Sequence, residues 1–206
     1  MTEIQEKANI IPQELNIAEI RKYTKEAAPL IHCITNPISI HDCAKIMAEH
    51  PAEVAEITAA ASALMLNLGN ITDARIESIQ RALKEANRRK IPVLLDLVGV
   101  TCSSLRREFA RKLLTDGRVA VIKGNISEIL AAADLPFHGT GIDAGSQDAI
   151  SQANEASYCT TAKKLAEHLG CTVMATGKLD LIADRHQAFL IANGHTALSG
   201  ITGTGC

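Results

Sequence analysis

The sequence predicts an α/β fold, and three observations carry that prediction. Short, continuously apolar runs alternate with amphipathic helical stretches; the runs end in Gly, Asn or Asp; and no repeat or Gly/Ser/Pro-rich linker divides the chain. Apolar strands that are mostly followed by helices belong to a central, mostly parallel sheet with helices on both faces. At ~100–200 residues per domain, 206 residues make one domain, 1–206.

Each element has its own signal. Leu15, Ile17, Ile20 and Tyr23 mark an amphipathic helix that ends before Pro29. Leu30 to Ile34 is a first strand. Helical pieces follow around Asp42 to Ala48 and from Pro51 to Ala61, the second with Pro at its start. Ala63 to Leu68 is a second strand, stopped by Gly69. Thr72 caps the next helix, whose apolar face is Ile76, Ile79, Leu83 and Ala86, and Asn87-Arg88-Arg89-Lys90 closes it with charges suited to the negative helix end. Pro92 to Asp96 is a third strand and Leu105 to Leu114 a helix. Val119 to Lys123 is a fourth strand. Asn125-x-x-Glu128 then reads as a near capping box opening a helix from Ser127 to Ala133. A long helix spans Asp148 to His168, with Gly170 just past its end, and Thr172 to Thr176 is a fifth strand. Leu179 to Ala183 and Ala188 to Ala192 form an antiparallel hairpin at the sheet edge.

Composition excludes several partners. Lys and Arg number 21 against 23 Asp and Glu, a formal charge of −2, and aromatics are 2% of the chain. There is neither a basic field for phosphate backbones nor a stacking platform for bases, so nucleic acid is not expected as a partner. The N-terminus is acidic and lacks a signal-peptide core, and the most apolar stretch, Ile57 to Leu68, is interrupted by Thr58, Ser62 and Asn67. No membrane association is expected. Six cysteines are scattered without a C-x-x-C pair, which reads as reduced thiols in a cytoplasmic protein.

In parallel sheets ligands sit beyond the carboxyl ends of the strands. That rule selects Asn67-Leu68-Gly69-Asn70, Asp96-Leu97-Val98-Gly99, Lys123-Gly124-Asn125 and Thr176-Gly177 as one rim. Neither G-x-x-x-x-G-K-[ST] nor G-x-G-x-x-G is present, so the familiar P-loop and dinucleotide sites are not supported. Thr202-Gly203-Thr204-Gly205-Cys206 is small enough for backbone N–H groups to converge on an anion. Carboxylates facing such a nest suit Mg²⁺ with substrate phosphates, which points to phosphoryl transfer. Asp96 at an open strand end favours a functional role, whereas a capping box explains Glu128 equally well. Lys123 alone reads as a loop cation, and Met47 alone as core filler. His32, His41 and His50 do not match a zinc-ligand spacing.

Taken together, Pro29-Leu-Ile-His-Cys-Ile-Thr-Asn36, His41-Asp-Cys-Ala44, Met47-Ala-Glu-His-Pro51, Asp96-x-Val-Gly99, Lys123-Gly-Asn-x-Ser-Glu128, Thr176-Gly177 and Thr202-Gly-Thr-Gly-Cys206 resemble the hydroxyethylthiazole kinase family, of ribokinase-like fold. The segments run in family order across nearly the whole chain. The resemblance implies ATP-dependent phosphorylation of the hydroxyl of 4-methyl-5-(2-hydroxyethyl)thiazole, with Mg²⁺, in a homotrimer with sites at subunit boundaries. Carried over by position, it implies that Met47, Asn36 and Gly203 contact the thiazole and that Lys123 and Thr176 bind ATP. It places Asp96 and Glu128 near the metal, Gly203, Thr204 and Gly205 in the anion hole, and Cys206 as the catalytic base.

Three departures from the family pattern carry expectations of their own. Leu97 stands where a Pro is usual, which loosens a rigid turn. Ala44 runs directly into Lys45-Ile46-Met47, a short internal deletion that shortens or removes a strand and shifts Met47. The chain stops at Cys206, where the family continues into a helix whose dipole completes the anion hole. The domain is therefore expected to be incomplete at its C-terminus and its activity severely reduced. The alternative reading is a catalytically impaired ribokinase-like protein that binds ligand or pairs with intact subunits. A remoter one is a kinase for another small alcohol, such as the pyrimidine moiety of thiamine, against which Met47 and the Cys206 ending speak.

Overall fold

The computed structural model describes residues 16–36, 49–139 and 144–192. Helix α1 (Ile17–Ala27) starts at Asn16, whose side chain accepts the Glu19 N–H, and precedes β1 (Ile31–Ile34). Helix α2 (Val54–Ala60) leads to β2 (Ala63–Asn67), and α3 (Asp73–Arg89) leads to β3 (Val93–Asp96). Helix α4 (Ser104–Asp116) precedes β4 (Val121–Asn125), which runs straight into α5 (Ile126–Ala132). A 3₁₀ turn (Ser146–Asp148) and α6 (Glu155–Leu169) lead to β5 (Thr172–Thr176), followed by the hairpin β6 (Asp180–Ala183) and β7 (Ala188–Ile191).

Local chemistry accounts for most of these boundaries. Thr72 and Ser103 cap α3 and α4 by accepting the N–H groups of Arg75 and Arg106. Asn125 and Glu128 form a complete capping box on α5. Gly170, at φ +64°, ends α6 in the left-handed region that glycine tolerates best. Two expectations need correcting. The last long helix begins at Glu155, because Asp148 is occupied elsewhere: its carboxylate accepts the Ser127 hydroxyl at 2.5 Å and the His138 N–H at 2.7 Å. The fourth strand extends past Lys123 to Asn125, so strand end and helix cap are one residue. The helix expected at Asp42 to Ala48 lies outside the described residues.

The seven strands form one sheet in the order β1-β2-β3-β4-β5-β6-β7, parallel from β1 to β5 and antiparallel thereafter. In sequential order, crossovers of one hand bring the connecting helices onto a single face. On that face Leu64, Leu66, Val93, Leu95, Ile122 and Val173 are buried against Ile79, Leu83, Phe109, Leu113, Ile129 and Leu165. On the other face Met65, Leu94, Val121, Met174 and Ile182 are only half-buried. The two-sided cover expected from the sequence is thus complete on one face among the described residues. Among these residues no helix is long and apolar enough to cross a membrane. Cys33, Cys102, Cys159 and Cys171 form no disulfide, and burial pushes the Cys171 thiol up to about 11.

Leu95 is fully buried at the centre of the sheet, flanked in register by Leu66 and Ile122. Leu95→Ala is expected to lower the unfolding free energy by about 2–5 kcal/mol, read from the urea midpoint with an unchanged slope.

Candidate functional site

The parallel register builds a polar row at the carboxyl ends of three strands. Asn67 on β2 is paired with Asp96 on β3, and Asp96 with Lys123 on β4. Alternation puts these three on the half-buried face, with Met65, Leu94 and Val121. Asn67 and Asp96 are fully buried, and Lys123 Nζ lies 3.0 Å from Asp96 Oδ2. Asp96 Oδ1 accepts the Val98 N–H at 3.1 Å and so forms its own turn. The turn lacks proline but gains a donor: Leu97 is fully buried and its N–H donates to the Lys123 carbonyl at 2.8 Å.

Glu128 joins this row from the first turn of α5. Its Oε2 accepts the Asn125 N–H at 2.8 Å and its Oε1 the Gly99 N–H at 2.7 Å. The second bond depends on Gly99 standing at φ +78°, where a side chain would be strained. Gly124 keeps the neighbouring space open, since a Cβ there would meet Glu128 Cβ and Oε2 at 3.0 Å. The capping box expected at Asn125 and Glu128 is therefore present, and the same carboxylate also bridges to the turn after β3. A carboxylate has about four lone-pair sites, so capping leaves Glu128 with acceptor capacity.

Burial raises the Asp96 carboxyl above its ordinary range, opposed by the Lys123 charge and hydrogen bond and by the Val98 N–H. Burial also pushes Glu128 up, to about 7; the Asn125 and Gly99 N–H groups oppose the rise, and the Asp96 charge adds to it. One ammonium thus faces two buried carboxylates whose ionised forms are disfavoured. This donor set fits a divalent cation such as Mg²⁺, which takes one or two carboxylates and completes its shell with water and phosphate.

Thr176, half-buried on β5, is paired with Asn125, and its hydroxyl donates to the Gly124 carbonyl at 3.3 Å. Asp96, Lys123, Glu128 and Thr176 are therefore gathered along adjoining strand ends. Asn36 follows β1 by two residues, and its Nδ2 donates to Asn67 Oδ1 at 3.3 Å. Met47, Gly203, Thr204, Gly205 and Cys206 lie outside the described residues. His32 is a buried core residue, its Nδ1 2.9 Å from Thr58 Oγ1.

The sequence places Asn67 on the rim without a role, and it does not mark Arg106 at all. Asn67 was seen only as part of a rim, yet its Oδ1 also accepts the Gly69 N–H at 2.8 Å. Arg106 on α4 bonds the Leu68 carbonyl through Nη1 and the Gly69 carbonyl through Nη2 at 3.3 Å. It ties the turn after β2 to the first turn of α4. A strand-end Asn carries a local signal; an Arg reaching across 38 residues carries none.

Comparisons with known proteins point to one family. The model of the hydroxyethylthiazole kinase family matches residues 21–206. The chain is 46% identical over 197 residues to hydroxyethylthiazole kinase 2 of Clostridium botulinum (strain Langeland), covering 91% of this chain and 74% of that protein. It is 34% identical over 206 residues to hydroxyethylthiazole kinase 1 of Methanosphaera stadtmanae, covering 93% and 72%. Among solved structures, the hydroxyethylthiazole kinase protein from Pyrococcus horikoshii OT3 matches with a TM-score of 0.78 at 28% identity, over 91% of this chain and 71% of that one.

The raised Glu128 carboxyl has a consequence for stability. Its folded value of about 7 exceeds its ordinary 4.5, so the folded chain binds this proton more tightly than the unfolded chain. The stability this group contributes is full below about pH 4.5 and is lost as pH rises through about 7. The thermal midpoint of the wild type minus that of Glu128→Gln is expected to fall between pH 5 and pH 7.5 (about). A flat or rising difference contradicts the assignment.

Proposed function

The chain belongs to the hydroxyethylthiazole kinase family, and we propose that it transfers the γ-phosphoryl group of ATP to the hydroxyl of 4-methyl-5-(2-hydroxyethyl)thiazole, in thiamine salvage. The observation that carries this reading is the buried row of Asp96, Lys123 and Glu128 at the strand ends. Phosphoryl transfer needs little covalent help from protein. It needs reactants in line and charge neutralised on the transferring group.

Each residue has a part in this reading. Lys123 opposes the charge of the ATP phosphates as a point charge, and Asp96 holds its ammonium at the rim. Asp96 and Glu128 hold Mg²⁺, which when bound neutralises phosphate charge and orients the transferring group. Thr176, over the Gly124 carbonyl, lines the ATP side. Asn36 and Met47 contact the thiazole together with Gly203. The N–H groups of Gly203, Thr204 and Gly205 face the phosphoryl oxygens. Cys206, as its thiolate, accepts the proton of the substrate hydroxyl as that hydroxyl's oxygen bonds to phosphorus; the bond from phosphorus to the β–γ bridging oxygen breaks, and ADP leaves. The same reading includes a cytoplasmic homotrimer.

The test is an ADP-release assay on the purified chain with ATP, Mg²⁺ and the thiazole alcohol. Release should require all three. Lys123→Met should lower kcat/KM for ATP by about 10²–10³-fold, with circular dichroism unchanged. Release that is indifferent to the thiazole alcohol, or a Lys123→Met variant as active as the wild type, overturns the reading.

A further inference from the structure

Arg75 is a buried cation in a place that disfavours one. It sits in the first turn of α3, at the positive end of the helix dipole, and its side chain is only 7% exposed. Its Nη1 donates to Oε1 and Oε2 of Glu49, both at 2.7 Å, and its Nη2 donates to the Thr35 carbonyl at 2.6 Å. Among the described residues, Nε is buried with no partner. Ser78, one turn along the same helix, donates its hydroxyl to the Glu49 carbonyl at 2.6 Å.

Stability is a poor reason for this arrangement. Replacing a buried ion pair with apolar groups of similar volume is often neutral or stabilising, and an unpartnered Nε adds a desolvation cost. Geometry supplies a better one. Thr35 directly precedes Asn36, whose amide bonds Asn67, and Asn67 is in register with Asp96. One guanidinium thus pins the backbone just before Asn36, draws on the Glu49 carboxylate for its counter-charge, and stands on the helix that follows the Asn67 strand. We propose that Arg75 is a positioning residue for the alcohol substrate. It fixes the Thr35 carbonyl, and with it Asn36, against the row that performs phosphoryl transfer, and Glu49 holds the guanidinium in place. This rests on the reading above, in which Asn36 contacts the thiazole.

Steady-state kinetics on the full chain separate this role from a merely structural one. In Arg75→Lys a single ammonium cannot span Glu49 and Thr35 together. Its KM for the thiazole alcohol should rise about tenfold or more, while KM for ATP stays within about twofold. Glu49→Gln, at a partly exposed side chain, should shift the same KM in the same direction by a smaller factor, and it serves where the Arg75 variant fails to fold. Leu95→Ala is the control: it lowers the thermal midpoint and leaves KM for the alcohol unchanged. Equal changes in both KM values, or none in an Arg75→Lys or Glu49→Gln variant that folds, overturn the inference alone. A folded wild-type chain without thiazole-dependent turnover overturns the functional reading and this inference with it.

Discussion

The ion pair between Lys123 and Asp96 is the contact on which the site depends. It spans 3.0 Å between adjacent parallel strands, with side chains 12% and 0% exposed. In so buried a setting the pair gains little net stability over an apolar substitute, but loss of either partner strands a charge. The register makes the contact unavoidable. Once β3 and β4 pair with Leu95 opposite Ile122, Asp96 must face Lys123, and Asn67 falls into line on the far side. Glu128 is then held beside them by two backbone N–H groups, one from its own cap and one from the turn at Gly99. Burial raises its affinity for protons and the Asp96 charge adds to the rise, and a second carboxylate beside the first suits the cluster to a divalent cation and phosphate.

Much of this was legible in the residues. The strands announced themselves by unbroken apolarity, and the rim by the Asp, Lys-Gly-Asn and Thr-Gly that follow them. Thr72 and the Asn125–Glu128 pair were readable as caps because capping is a matter of three-residue spacing. Of the two readings of Glu128, the structure shows the cap, closed by Oε2, with Oε1 reaching the turn that follows Asp96; the functional role is the one proposed above. Leu97, expected to loosen that turn, instead donates a hydrogen bond that proline has no N–H to make.

What stayed hidden was long-range. Asp148 looked like the start of a helix, but the fold uses it to bind Ser127 and His138, and the helix waits for Glu155. The sequence assigns no role to Arg75 or Arg106. Each instead reaches backbone carbonyls more than thirty residues away, next to Asn36 or Asn67. No local pattern marks a guanidinium that ends on a carbonyl. The sheet's two faces also differ in a way that apolarity alone did not show: one is closed by the crossover helices, and the other is half-buried and carries the polar row.

The most direct measurement of the central claim is a calorimetric titration of preformed Mg-ATP into the protein at pH 7 (about), in two buffers of different ionisation enthalpy. If Asp96, Lys123 and Glu128 receive the metal and phosphates, binding must ionise Glu128, whose free carboxyl titrates near 7. Release of up to about half a proton per site is then expected. That release should vanish in Glu128→Gln. A wild type whose binding heat is the same in both buffers, or a variant that releases as much as the wild type, contradicts the account.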